Sequence, residues 1–168
     1  RAMFWPHMCF RDSMGWNLNE IFEIYKMNNE LIYLSDIAQA QSNLNLIPEG
    51  KLVEIYNLAD VVVMMGGEGF GLPTLEAMAC GKPMLALNHS ANIELVRGRG
   101  ELADVKCYVS GAHSTERPIP DVDHLAEKLN LLYTNPILRS DHGKKGLEFA
   151  QTLSWNSVCN DWDKLINK

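Results

Sequence analysis

Two glutamates flank a glycine-rich stretch near the middle of the chain. Glu68 and Glu76 stand eight positions apart within the string GGEGFGLPTLEAMACG, and two glycines and a proline lie between them. The short apolar run VVVMM precedes this string, so we predict a strand over residues 61–65, a glycine turn and a helix. Pro73 suits the first turn of that helix, where a missing N–H is no loss, and Gly81 suits the position just past its end.

The chemistry that this arrangement favours is the binding of a diphosphate and of sugar hydroxyls. The first N–H groups of a helix attract phosphate, and glycines let a ligand approach the backbone closely. A carboxylate beside a phosphate is unfavourable unless it binds something else, and its two oxygens match a pair of sugar hydroxyls. Glu68 and Glu76 would then hold the two sugars of a nucleotide sugar. The same spacing also fits a plain tight turn with Glu76 favouring the helix dipole, and spacing alone leaves both interpretations open.

Other ligand classes fit the sequence less well. No G-K-[ST] follows the glycines as it does in a P-loop, and the stretch is not the dinucleotide fingerprint G-x-G-x-x-G after a first strand. The formal net charge is −6 and no basic or basic–aromatic stripe occurs, so nucleic acid is not an expected partner. No apolar run approaches the ~20 residues of a membrane span.

The composition predicts a single globular domain over residues 1–168. The chain is 46% hydrophobic and 21% charged, which is ordinary for a protein with a packed core. No C-x-x-C pair suggests a metal or redox site. We expect four widely spaced, buried, free thiols in a reducing, cytoplasmic compartment, namely Cys9, Cys80, Cys107 and Cys159.

Strands alternate with helices along the chain. This alternation predicts an α/β fold, a Rossmann-like parallel sheet with helices on both faces. The predicted strands cover residues 2–10, 30–36, 61–65, 83–87 and 105–110. The predicted helices cover residues 18–27, 48–60, 72–80, 92–96, 121–135 and 135–153, and a last one follows Ser154. In the helix over residues 48–60 the expected buried side chains are Leu52, Ile55, Tyr56 and Leu58.

The last helix carries one apolar stripe, which either packs on its own domain or forms an interaction surface. Its members are Trp155, Val158, Trp162, Leu165 and Ile166.

Three segments together resemble a known family. EGFGLPTLEAMACGKP resembles the E-x7-E motif of retaining glycosyltransferase family four, which has the two-domain GT-B fold. PEGKLVEIYNLADVVV resembles the helix and strand before that motif, and NPILRSDHGKKGLEFAQTLSWNSV resembles the C-terminal pattern of the family. The resemblance implies the C-terminal, donor-binding half of a GT-B fold, in a glycosyltransferase that retains the anomeric configuration.

The resemblance also implies roles for particular residues. Glu68 would contact hydroxyls of the donor sugar and is the candidate catalytic residue, while Glu76 would hold the ribose hydroxyls. The donor would be a UDP-, GDP- or ADP-sugar bound as substrate, so neither a metal nor a cofactor is expected. The remaining donor-binding positions that it implies are Gly69, Phe70, Gly71 and Leu72, whose backbone surrounds the diphosphate or donor sugar, and Ile47 near the nucleobase.

The sequence departs from the family at three places. We find no match to the first βα unit, whose basic pair grips the diphosphate, and none to the N-terminal acceptor domain. An acceptor domain or a partner chain would have to supply that half, so we expect the chain alone not to transfer sugar. HSANIE, residues 89–94, stands where the family has G-G-x-P-E, and His89 there is either a ligand contact or a packing residue. A non-catalytic nucleotide-binding module and a nucleotide-sugar epimerase are the alternative functions.

Overall fold

The structure is a computed structural model, and it describes residues 2–6, 17–27, 47–111 and 115–167. The chain divides into two compact units, Arg1–Leu52 and Val53–Lys168. In the first unit helix α1 spans Leu18–Ile24. It ends earlier than predicted, because Lys26 takes a left-handed φ of 55° shortly after the helix.

The strand predicted over residues 2–10 is wrong where it can be checked. Residues 2–6 hold an isolated bridge at Phe4 and no continuous strand, and Pro6 is buried there. The ring of Phe4 meets buried Phe22 edge to face, with 6.3 Å between ring centroids. Residues 7–10 and the strand predicted over 30–36 lie outside the described residues.

Helix α2 spans Glu49–Leu58, and the boundary between the units falls within it. Leu52, Ile55 and Tyr56, which were predicted to be buried, are partly buried. Leu58 is exposed, which corrects the prediction that it is buried. It is the last residue of the helix.

The second unit contains the predicted parallel sheet. Strands β1 (Val62–Met64), β2 (Met84–Leu87) and β3 (Glu101–Ala103) pair in the order β1-β2-β3, and both pairings are parallel. Helix α3 (Leu72–Ala79) joins β1 to β2, and helix α4 (Ala91–Val96) joins β2 to β3. The third strand is an element that the sequence analysis did not predict.

Helices cover both faces of this sheet, as predicted. Met84 and Ala86 of β2 are fully buried in a cluster with side chains of α3 and α4. Leu85 points the other way, into a cluster with Leu132 of helix α5, which spans Val122–Thr134. A strand buried on both faces explains why MLAL is apolar throughout instead of alternating.

Strand β4 (Val105–Ser110) corrects the simple alternation of strands and helices. It follows β3 without a helix between them and pairs antiparallel with strand β5 (Glu116–Pro120) in a separate two-stranded sheet. The two prolines of β5 are compatible with a strand at the edge of a sheet, where N–H groups need no partner. Most side chains of this hairpin are exposed.

Polar side chains cap the starts of the last three helices. The side chain of Asp121 accepts hydrogen bonds from two N–H groups at the start of α5, and Asn135 accepts one at the start of helix α6 (Pro136–Thr152). Ser154 accepts one from Ser157 at the start of helix α7, which spans Trp155–Ile166. These caps satisfy N–H groups that the helices leave open, so local sequence determines where the helices begin.

Helix α6 packs closely against the end of α3. A Cβ at Gly143 would collide with the carbonyl oxygen of Gly81, and one at Gly146 would lie 3.2 Å from Cγ of Met78. Both glycines are buried. Side chains at these positions would therefore push the two helices apart.

Helix α7 differs from the others because all of its described side chains are exposed. Trp155 is 83% exposed, so the apolar stripe does not pack on the second unit. Cys107 on the hairpin and Cys159 on α7 are exposed too, which corrects the prediction of buried thiols. Among the helices of the described residues, none is both long and apolar enough to cross a membrane.

Candidate functional site

The glycine turn lies at the carboxyl end of β1, and α3 begins where the turn ends. Gly71 stands at the N-cap of α3 with φ 91° and ψ 48°, a left-handed conformation. A Cβ at this buried position would lie 2.8 Å from Cδ1 of Leu95. Backbone conformation and close packing thus both require glycine here. The first N–H groups of α3 have no partner within the helix.

The start of α4 holds the turn through the carbonyl of Glu68. The hydroxyl of Ser90 and the N–H of Ala91 both donate to this oxygen, the latter at 3.3 Å. Ser90 takes φ 56° and ψ −144°, a region that glycine favours and that costs another residue ~1–3 kcal/mol. Strained residues of this kind are common at functional sites, where the surrounding structure holds them in place.

A buried amide holds the turn at its beginning. The side chain of Asn92 donates to the carbonyl of Gly66 at 3.1 Å, and its own oxygen lies 3.5 Å from the hydroxyl of Thr74. Asn92 and Thr74 are both fully buried. Because an unpaired buried amide is costly, this pairing ties the turn to α4 and to the first turn of α3.

The carboxylate of Glu68 lies close to the beginning of the turn. Its Oε1 would lie 3.5 Å from a Cβ at Gly66, so the partly buried side chain folds back over the turn. His89 also meets the turn, since Cδ2 of its ring would lie 3.3 Å from a Cβ at Gly67. The Nδ1 of His89 lies 3.4 Å from the hydroxyl of Tyr108 on the hairpin. His89 is therefore at least a packing residue beside the turn.

The carboxylate of Glu76 is held by a tyrosine. Glu76 lies in the second turn of α3 and is exposed, and its Oε2 accepts a hydrogen bond from the hydroxyl of Tyr56 at 3.0 Å. The same hydroxyl lies 3.3 Å from the carbonyl of Pro73. Burial, and next the hydrogen bond to Glu76, raise the pKa of Tyr56 well above its ordinary value. Tyr56 therefore remains a proton donor to this carboxylate.

The structure brings together most of the residues that the sequence analysis selected. The backbone carbonyl of Glu68 meets α4, and the carboxylate of Glu76 meets Tyr56 of α2. Phe70 and Leu72, on either side of Gly71, are each 60% exposed. At a further selected residue, Gly69, a Cβ would have no atom within 4 Å. Ile47 lies in the first unit, before α2 begins, and its contact with a nucleobase stays a prediction.

Sequence reasoning missed the residues that support this site, namely Tyr56, Ser90 and Asn92. One signal was available for Asn92. It precedes Leu95 by three positions and Val96 by four, so it shares their inward face on α4. A polar side chain on a buried helix face needs a hydrogen-bonding partner, and the nearby turn offers carbonyls.

A second polar cluster lies away from the turn, at the amino end of β3. The carboxylate of Glu101 contacts Nε2 of buried His142 at 3.0 Å and Nζ of Lys128 at 2.9 Å. Burial opposes ionisation of Glu101, but these two partners outweigh it and hold its pKa below the usual range. This cluster joins β3 to α5 and α6. Within the described part of the chain, no group of three or more His, Cys, Asp or Glu side chains could hold a metal ion.

Comparison with known sequences identifies the family. Residues 25–149 match the family described as glycosyl transferases group 1. The chain belongs to this family.

Its relatives include several glycosyltransferases. A D-inositol 3-phosphate glycosyltransferase of Thermobifida fusca is 31% identical over 134 residues, which are 76% of this chain and 28% of that protein. An uncharacterised glycosyltransferase of Methanocaldococcus jannaschii is 33% identical over 95 residues, 56% of this chain and 24% of that protein. An O-antigen chain mannosyltransferase of Escherichia coli is 30% identical over 115 residues, 68% of this chain and 26% of that protein. The chain thus spans about a quarter of the length of these relatives.

Solved structures support the fold. A sucrose-phosphate synthase from Thermosynechococcus elongatus aligns with a TM-score of 0.67 and 21% identity, over 93% of this chain and 36% of that chain. The C-terminal domain of a glycosyl transferase group 1 family protein from Francisella tularensis aligns with a TM-score of 0.57 and 23% identity, over 80% of this chain and 59% of that chain. They confirm the predicted α/β fold, with its parallel sheet and helices, as that of a C-terminal domain in GT-B glycosyltransferases.

Proposed function

We propose that this chain binds the nucleotide-sugar donor of a retaining glycosyltransferase of family four, which transfers the sugar to an acceptor. The observation that carries the proposal is a glycine turn that leads into the start of α3, with Glu68 in the turn and Glu76, held by Tyr56, in the helix after it. The order of carboxylate, amide cluster and carboxylate matches the order of sugar, diphosphate and ribose in the donor.

Each part of the turn then has a role toward the donor. Glu76 accepts hydrogen bonds from the ribose hydroxyls, and Glu68 accepts them from hydroxyls of the transferred sugar. The amides of Phe70, Gly71 and Leu72, together with the dipole of α3, stabilise the diphosphate. They act most strongly when the bond to the sugar breaks and negative charge builds up on the leaving diphosphate, which is how fixed dipoles accelerate a reaction.

The donor proposed is a UDP-, GDP- or ADP-sugar, with Ile47 near the nucleobase. An acceptor domain or partner chain completes the enzyme, for which we propose a cytoplasmic location. The relatives are named for different acceptors, an inositol phosphate and an O-antigen chain, so their names do not identify the acceptor here.

Calorimetry with UDP, GDP and ADP tests the role of Glu76. We expect one of the three to bind, and Glu76→Ala to weaken that binding by ~1.5–3 kcal/mol because a charge-assisted hydrogen-bonding site is lost. Glu127→Ala, which removes an exposed carboxylate from α5, serves as the matched control and should bind normally. Equal affinities of the wild type and Glu76→Ala would exclude the ribose role.

The same titrations, repeated with the sugar-bearing nucleotides, test the role of Glu68. Glu68→Gln should keep the affinity for the plain diphosphate and lose part of the preference for the sugar-bearing form. If it lost plain diphosphate binding as strongly as Glu76→Ala does, the two roles would be assigned wrongly.

We expect no transfer by the 168-residue chain alone, because no match to the family's basic pair was found. Turnover at ~1–10³ s⁻¹ would contradict that expectation.

A further inference from the structure

Tyr56 combines a buried body with a polar tip directed at the candidate site. Its ring packs against the cluster that includes Ala77 and Met78 of α3, and its hydroxyl reaches Oε2 of Glu76 at 3.0 Å. The carbonyl of Pro73, in the first turn of the same helix, lies 3.3 Å from that hydroxyl. The tyrosine therefore meets α3 at a packed surface and at a polar point.

The hydrogen bond restricts a side chain that would otherwise move freely. Glu76 is exposed, and a glutamate loses much rotamer freedom when a ligand orders it. A hydroxyl that donates to a carboxylate makes a charge-assisted bond, which is stronger than a bond between neutral groups. Because Tyr56 fixes the carboxylate before the ligand arrives, less freedom remains to be lost on binding.

The bond also divides the work between the two carboxylate oxygens. A carboxylate offers about four positions to hydrogen-bond donors, two on each oxygen. Tyr56 occupies a position on Oε2, and among the residues that the structure describes no group donates a hydrogen bond to Oε1. The Oε1 atom then stays available for a donor on the ligand.

We propose that Tyr56 is a positioning residue for ribose recognition, because it holds the Glu76 carboxylate with one oxygen directed to the ribose hydroxyls. This inference rests on the proposed ribose role of Glu76. If the bond only joined α2 to α3, its loss would change the affinity for every ligand by the same factor. A positioning bond acts only on ligands that carry the hydroxyls, and this difference can be measured.

The experiment compares Tyr56→Phe with the wild type by calorimetry at constant salt and pH. The ligands are whichever of UDP, GDP and ADP binds the wild type most tightly, and the 2′,3′-dideoxy form of that diphosphate. We expect Tyr56→Phe to bind the ribonucleotide about three- to tenfold more weakly and to bind the dideoxy form as the wild type does. Phenylalanine keeps the ring against the core, so thermal unfolding serves to verify that the variant is folded.

Two further variants complete the design. Tyr25→Phe removes the same atom from an exposed tyrosine of the first unit and should leave both affinities unchanged. In a Glu76→Gln background, adding Tyr56→Phe should change ribonucleotide affinity by less than about twofold, because the ionised partner is already absent.

The outcomes separate the two proposals. If the wild type binds the ribonucleotide and its dideoxy form equally, the ribose role itself fails and the inference fails with it. If the wild type discriminates but Tyr56→Phe weakens both ligands equally, or weakens neither, the ribose role survives and Tyr56 has no positioning role. A selective loss for the ribonucleotide supports both.

Discussion

The two sides of the glycine turn are held by different chemistry. On the Glu68 side, α4 binds the backbone, because Ser90, Ala91 and Asn92 donate to the carbonyls of Gly66 and Glu68. On the Glu76 side, α2 binds the side chain, because Tyr56 donates to the carboxylate. The first arrangement fixes the path of the chain and leaves the carboxylate adjustable. The second fixes the carboxylate itself, so the two glutamates should respond differently to changes around them.

The largest effect is expected where one change disturbs both sides. Gly71→Ala introduces a Cβ at a left-handed residue and brings it against Leu95. We expect a loss of about 2–4 kcal/mol in the free energy of unfolding, from backbone strain and overpacking together. Urea unfolding measures this loss, and nucleotide binding should be lost with it.

Gly69→Ala is the matched control for that change. No atom lies within 4 Å of a Cβ built at Gly69, so the free energy of unfolding should change by less than about 0.5 kcal/mol. If both alanine variants unfolded equally easily, the special role of Gly71 would be refuted.

A smaller effect is expected when only the Glu68 side is broken. Asn92→Ala removes the amide that pairs with Gly66 and leaves the buried hydroxyl of Thr74 without its partner, which costs about 1–3 kcal/mol. The variant should lose preference for the sugar-bearing nucleotide more than affinity for the plain diphosphate. Asn130→Ala, at an exposed position of α5, should do neither. Equal weakening of both ligands by Asn92→Ala would show that the two sides of the turn are not independent.

The cluster around Glu101 differs from both sides of the glycine turn, because it depends on charge and lies at the other end of the strands. The partners of Glu101 lower its pKa. Its contribution to the free energy of unfolding is therefore complete above the ordinary glutamate pKa of about 4.3, and it disappears as the pH falls through the lower pKa of the folded state. At neutral pH we expect Glu101→Gln to lower the free energy of unfolding by about 1 kcal/mol.

Urea unfolding across the acid range measures that contribution. The difference in the free energy of unfolding between the wild type and Glu101→Gln should become smaller as the pH falls below about 4.3. Glu148→Gln, at an exposed position of the helix that carries His142, is the control and should behave as the wild type throughout. A difference that stayed constant with pH would exclude an electrostatic role for Glu101.

The smallest effect on stability is expected in α7, despite its two tryptophans. Trp155 and Trp162 are exposed, so replacing both by serine should change the free energy of unfolding by less than about 1 kcal/mol. A loss of several kcal/mol would mean that the stripe is core. Sedimentation of the same pair of proteins would show whether the exposed stripe mediates self-association.

Local sequence was sufficient to predict many features of the fold. The run MLAL is apolar without alternation, and the structure buries it on both faces. Asp121, Asn135 and Ser154 begin helices because their side chains reach N–H groups only two or three residues away. Such interactions depend on neighbours along the chain, so they can be recognised from sequence alone.

Features that depend on packing could not be predicted in this way. The hairpin partner of β4 was missed because Pro118 and Pro120 argue against a strand. The hydrogen bond from Tyr56 to Glu76 joins residues 20 positions apart, and it forms only because α2 and α3 meet at a particular angle and distance. The strand, glycine turn and helix were predicted from sequence, whereas the supports of the turn on α2 and α4 needed the structure.

The backbone ties of the glycine turn have a consequence for directed evolution. Because carbonyls of Gly66 and Glu68 anchor the turn, its geometry does not depend on the exposed side chains of Phe70 and Leu72. Libraries at these two positions should therefore alter ligand preference while most members keep the fold. A loop whose shape is fixed by its main chain tolerates mutation of its exposed side chains, and such loops can diversify through single substitutions.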